Sequence, residues 1–201
     1  MDELTLLQAV RLKGRVSDSD LAATTGVNNA DIASAVAPLH EAGLLAAGKT
    51  IKITPEGRAR LAQLLADERS AIDTDALAAA YEDFRSVNGD FKALVSDWQL
   101  RNGEPNTHDD PEYDGNVLSG LDGIHQRVLP ILAAVAAEIP RLESYSAKLA
   151  SALAKVKAGE TTWLTRPIID SYHTVWFEVH EELILAAGLT RDAEAKAGHA
   201  Q

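Results

Sequence analysis

Between Gly43 and Leu61 the residue pattern changes period twice, and that double change limits the folds open to the chain. Before Gly43 the apolar residues Ile32, Val36 and Leu39 recur every three or four positions, the spacing of one helix face. After it, Leu44-Leu45-Ala46 and Thr50-Ile51-Lys52-Ile53 alternate across a turn at Ala47-Gly48-Lys49, which predicts a short hairpin. Thr54-Pro55-Glu56 then restarts a helix. It offers a hydroxyl cap, a proline where a missing N–H costs nothing, and a carboxylate beside the positive helix end.

Upstream, Leu4, Leu7, Val10 and Leu12 predict a helix over about 2–13 that stops at Gly14. Ser17 caps a second helix, with Asp20 three positions on, and Thr25-Gly26-Val27 breaks it. A third starts at Asn28 or Asn29, whose side chains are good caps. Two short helices joined by a glycine-containing turn form a helix-turn-helix pattern.

The run His40-Glu41-Ala42-Gly43-Leu44-Leu45 before the hairpin, with Ile53-Thr54-Pro55-Glu56-Gly57-Arg58-Ala59-Arg60-Leu61 after it, resembles the winged helix of bacterial transcriptional regulators of the MarR and PadR type. The resemblance covers about a third of the chain. It implies a DNA-binding module whose third helix enters the major groove while the wing touches phosphates. Carried onto this sequence, base contacts fall to Asn28, Asn29, Asp31 and Ser34, with Ala35 and His40 beside them. Phosphate contacts fall to Arg15, Lys49, Lys52 and Arg58, with Arg11, Lys13 and Arg60 nearby. The third helix holds no Lys or Arg, so a homodimer that doubles the flanking cations is expected on double-stranded DNA.

Charge divides the chain in the same place. Residues 1–62 carry seven basic and seven acidic side chains, so the whole formal net charge of −11 sits in residues 63–201. The expected organisation is a winged helix-turn-helix domain over 1–66 and an acidic helical bundle over 67–201. There is no cysteine, which excludes disulfides and thiolate chemistry. Met1-Asp2-Glu3-Leu4 lacks the basic start of a secretory signal, and the apolar run 128–137 is far short of a membrane span. A cytoplasmic protein without membrane contact is expected.

In the acidic part, Leu77, Tyr81, Phe84, Val87, Phe91, Leu94, Val95 and Trp98 keep three- and four-residue spacing and predict one long amphipathic helix. Residues 101–114 read as a loop. A second helix is expected over 117–139 with a kink or break at Pro130, a third over 141–157 opened by Pro140, and a fourth over 168–187 opened by Pro167. The mainly α chain is therefore expected to end in an antiparallel helical bundle, with a frayed helical extension over 190–201.

The candidate chemistry of the bundle is of two kinds. Asp122 with His125, and Asp170 with His173, form carboxylate-x-x-histidine pairs that helical bundles use to aim metal ligands inward. Metal bundles usually use glutamate, however, and an Asp three residues from a His also serves simply to orient it. Trp98, His125, Tyr172, His173, Trp176 and His180 are candidate lining for a small-molecule effector pocket between helices, and equally ordinary core or dimer-interface side chains. No catalytic constellation and no cofactor motif is present: the chain has no glycine-rich phosphate loop, G-x-S-x-G elbow or cysteine nucleophile. Asp109, Asp110, Glu112 and Asp114 miss the calcium-loop spacing. The leading expectation is a DNA-binding transcriptional regulator with a helical dimerisation and sensor domain. The alternative is an accessory protein whose winged helix grips a protein partner. The C-terminal half is similar to segments that follow phosphohistidine domains, which would make that partner a phosphoenolpyruvate-utilising enzyme, although no motif carries the link.

Overall fold

Each of the first helices starts where a short polar side chain takes the place of a missing backbone partner. Asp2 accepts from the Thr5 N–H to open α1 (Glu3–Lys13), Ser17 from Asp20 to open α2 (Asp18–Thr25), and Asn28 from Asp31 to open α3 (Asn29–Glu41). Gly14 and Gly26 follow α1 and α2 at φ 73° and 70°, where a side chain would be strained. The computed structural model describes residues 1–46 and 48–198. Ala47 of the predicted turn and residues 199–201 of the predicted tail lie outside the described residues.

The molecule is mainly helical with two small antiparallel hairpins among the described residues, and it divides into two compact units, Met1–Ile72 and Asp73–Gln201. In unit 1, β1 (Leu45–Ala46) pairs with β2 (Lys52–Ile53), and a further antiparallel bridge joins Val16 to Ile51. Thr54 caps α4 (Pro55–Arg69), with Pro55 in its first turn. α4 runs past residue 66, which carries the division between units to 72. The core is built from Leu6, Leu7 and Val10 of α1, Leu21, Ile32, Val36, Leu45, Ile51, Ile53 and Leu61, all buried. Burying each such side chain contributes roughly 1.5–3 kcal/mol. Gly57 is needed for its lack of a side chain: a Cβ there would sit 2.1 Å from the Leu44 carbonyl oxygen.

In unit 2, α5 (Thr74–Gln99) turns back through a second hairpin, β3 (Leu100–Arg101) with β4 (Glu104–Pro105), into α6 (Pro111–Glu138). The two helices are antiparallel. Asp73 at the start of α5 donates its N–H to Glu138 at the end of α6, and Tyr113 in the first turn of α6 donates to the Asp97 carbonyl. A 3₁₀ turn (Pro140–Leu142) leads into α7 (Ser144–Lys157), followed by α8 (Thr162–Thr165), α9 (Tyr172–Ala186) and α10 (Arg191–Lys196). α7 packs against α6, α8 and α9, and α9 also packs against α5 and α10.

Four expectations need correction. The loop over 101–114 contains a hairpin, and α6 begins at Pro111 because Asp110 accepts the Glu112 and Tyr113 N–H groups. Of the kink or break expected at Pro130, the break does not occur: α6 is continuous there, and Pro130 is exposed. Pro140 opens only the 3₁₀ turn. Pro167 does not open the fourth helix: Ile168 takes φ 78° and is 92% exposed, and Ser171 is the cap.

Candidate functional site

In unit 1 the exposed side of α3 carries Asn29, Ala30, Ala33, Ser34, Ala37, Pro38 and Glu41, while Ile32, Val36 and Leu39 face inward. Asn28, Asn29, Asp31 and Ser34 are thus on the surface, but three of them already serve their own helix. Asn28 accepts the Asp31 N–H and donates its amide to the Asp31 carboxylate at 2.7 Å, and Ser34 donates to the Ala30 carbonyl at 2.9 Å. His40 is half-buried, its Nδ1 2.9 Å from the Leu45 carbonyl, and so ties α3 to β1.

The cations gather on the hairpin side. The Val16–Ile51 bridge is antiparallel, so Arg15 and Lys52, one step outside it on either strand, are cross-strand neighbours, and Lys49 lies two residues before Ile51. Val16, Ile51 and Ile53 are buried while Arg15 is exposed and Lys52 half-exposed, which puts these two charges on the outer face, and Lys49 is exposed in the turn before Ile51. Arg58, in the first turn of α4, is exposed as well. Arg60 is committed elsewhere: its Nε and Nη2 grip both Glu3 carboxylate oxygens at 3.0 and 2.8 Å.

In unit 2 the rings singled out from the sequence pack as one column with one exception. Trp176 stands 4.4 Å from Phe91 and 5.1 Å from Phe84, Tyr172 reaches Phe91 at 5.5 Å and His125 at 5.9 Å, and His180 meets Phe84 at 5.3 Å, all between centroids. His173 is exposed and lies against Phe91. Phe84 and Phe91 of α5 therefore occupy the middle of the expected pocket lining. Trp98 is apart from this column, in tilted contact with His108 at 4.3 Å.

The metal candidates do not converge. Asp122 pairs with Lys157 at 2.5 Å, and His125 Nδ1 lies 3.2 Å from the Tyr172 hydroxyl. Asp170 precedes the cap Ser171, so it is outside the helix that carries His173 and does not share its face. Among the described residues no group of three or more His, Asp or Glu side chains is placed to hold a metal ion. Burial outweighs the opposing charge of Asp122, with a smaller push from Lys157, and holds His125 below its ordinary titration range, so its imidazole is neutral near pH 7.

α9 also buries three carboxylates that sequence reading passed over. Glu182 faces Arg141 at 2.8 Å, Glu181 faces Arg191 at 2.5 Å and Glu178 lies 4.0 Å from Lys148. Nearby, Glu194 of α10 is buried against Arg85 and Tyr81 of α5.

No protein-family model, curated protein or solved structure matches this chain.

The buried acids were missed because their partners come from other helices: Arg141 lies 41 residues from Glu182, and Arg85 lies 109 residues from Glu194. The second hairpin did have a signal. Asn102-Gly103, both at positive φ (54° and 85°), is the dipeptide that a tight two-residue turn prefers. His108 is another unexpected residue: it takes φ 58° and sets Nδ1 2.9 Å from Asp114 while its ring lies tilted against Trp98.

Proposed function

We propose that residues 1–72 act as a winged helix-turn-helix that binds double-stranded DNA, in a homodimeric transcriptional regulator whose helical unit serves dimerisation and effector sensing. The pairing of Arg15 with Lys52 on the outer face of the Val16–Ile51 bridge, with Lys49 exposed in the adjoining turn, carries the reading. The order of three helices, hairpin and helix supports it, as does the exposure of the α3 face. Lys and Arg contribute by neutralising phosphates and releasing counterions, a sequence-independent gain. On α3, Asn29 and the methyl groups of Ala30, Ala33 and Ala37 are suited to close approach and to contact with thymine methyls. Asn28, Asp31 and Ser34 contribute less to base reading than the sequence led one to expect, since each has a hydrogen bond to its own helix to keep. The interface is therefore strong in phosphate contact and sparing in base contact.

A second reading is favoured by the α3 surface itself, where Ala30, Ala33, Ala37 and Pro38 present a small uncharged face without a cation. On this reading unit 1 grips a protein partner.

The discriminating experiment is a selection of the full-length protein over random duplexes at physiological salt. Retention of duplex above a filter background, weakened by adding salt, supports DNA binding. No retention at any enrichment round overturns it and leaves the second reading.

A further inference from the structure

α10 buries one side chain only, and it is a carboxylate. Glu194 is 4% exposed, while Asp192, Ala193, Ala195 and Lys196 face outward. Its receiver is built from two helices. Arg85 brings Nη2 to Oε1 at 2.7 Å and Nε to Oε2 at 3.2 Å, a two-pronged grip, and the Tyr81 hydroxyl donates to Oε2 at 2.7 Å. A carboxylate only accepts, so the Tyr81 proton goes to Glu194. The Tyr81 oxygen is then left to accept from His180 Nε2, 3.3 Å away, which makes Nε2 the protonated nitrogen of a neutral ring. Arg85 also lies over the Tyr81 ring at 4.6 Å and is held from behind by Glu82 at 2.8 Å. The receiver is thus oriented by groups of α5 and α9 that do not belong to α10.

The docking of α10 is weak by the same account. Buried ion pairs bring little net stability because desolvation offsets attraction, and α10 contributes no buried apolar side chain to add to it. Arg191 is a further anchor, meeting Glu181 at 2.5 Å and covering the exposed ring of Phe177 at 4.6 Å. Only Ala187-Gly188-Leu189-Thr190 links it to α9, with Gly188 at φ 70°.

We propose that Arg85, Tyr81 and His180 form a carboxylate-binding site that Glu194 occupies as an internal ligand, so that α10 is a latch displaced by an external carboxylate. The ligand class is an organic carboxylate, free or carried on a peptide side chain. The inference stands independently of DNA binding.

The test uses the full-length protein and trypsin cleavage after Arg191, read by mass spectrometry as release of the C-terminal peptide beginning at Asp192. Glu194→Gln speeds this release at least about tenfold over the native protein, while circular dichroism of the rest is unchanged. Adding succinate, or the blocked tripeptide acetyl-Ala-Glu-Ala-amide, speeds release from the native protein above a sodium chloride control of equal ionic strength. Whichever probe acts names the source of the carboxylate. Arg85→Gln releases quickly from the start and responds to neither probe. Unchanged protection in Glu194→Gln overturns the latch. Failure of both probes on the native protein, or an equal response in Arg85→Gln, overturns the external site; the native-protein arm needs no variant to fold.

Discussion

The indole N–H of Trp176 donates to the side-chain oxygen of Asn88 at 2.9 Å, joining α9 to α5 where both side chains are buried. Neither group has water to fall back on, so removing one partner strands the other. Asn88→Ala is expected to destabilise unit 2 by about 1–3 kcal/mol. All three tryptophans lie in unit 2, so tryptophan emission during urea unfolding follows that unit alone and gives the midpoint directly. An unchanged midpoint contradicts the role given to this bond.

Gly57 is a separate case, in unit 1. Alanine is the better helix former by roughly 1 kcal/mol, yet a Cβ here meets the Leu44 carbonyl oxygen at 2.1 Å and Ile53 at 2.9 Å. The backbone at Leu44 and α4 would have to separate, so Gly57→Ala is expected to destabilise unit 1 by about 1–3 kcal/mol net. Far-UV circular dichroism should show earlier loss of part of the helix signal, with the tryptophan transition of unit 2 unmoved. A stabilised unit 1 contradicts the close approach.

The His180 imidazole is pushed down to about 4 by burial, with the Arg191 charge acting in the same direction. The unfolded chain takes up this proton near pH 6.5 and the folded one only near 4. The contribution is therefore full above about pH 6.5, declines as pH falls below it, and is lost once pH has passed about 4. Across that window it is worth about 3 kcal/mol. Urea midpoints between pH 7 and 4 should fall steeply in the native protein and less steeply in His180→Asn. A residual slope is expected, because burial lowers His125 in the same direction. Equal slopes contradict this assignment.

Asn28 separates capping from reading. Asn28→Ala removes the acceptor for the Asp31 N–H and is expected to cost unit 1 about 1 kcal/mol. Asn28→Ser keeps a cap and loses the amide donor, so stability should change by only a few tenths. Thermal unfolding followed by circular dichroism checks both, and an equal loss in the two variants contradicts the capping role.

These residues also explain which parts of the fold were legible beforehand. α1 to α4 and the first hairpin are set by local groups, namely the caps Ser17, Asn28 and Thr54, the proline at 55 and the glycine stops, and they lie where the sequence pattern put them. α5 was legible from its apolar spacing. The start of α6 was hidden because Asp110-Pro111-Glu112 sits in a run of acids that reads as solvated loop, although Asp110 is a cap. The start of α9 was misplaced because Pro167 is as good an opening residue as Ser171 is a cap, and only packing decides between them. In unit 2, the ring column follows from spacing. The displacement of Trp98 toward His108 does not, since it depends on a loop conformation with φ 58° at His108. In unit 1 the cations were found one by one, while their grouping required the Val16–Ile51 bridge, a pairing across 35 residues.

That grouping is the central claim, and the salt dependence of DNA binding tests it most directly. Fluorescence anisotropy of a labelled duplex, titrated with full-length protein between 50 and 200 mM salt, gives log K against log salt. With Arg15, Lys49, Lys52 and Arg58 each meeting a phosphate in both halves of a dimer, the slope should be about −7, and Arg15→Ala with Lys52→Ala should reduce it by about half. A native slope near zero, or one that the double variant leaves unchanged, contradicts the account.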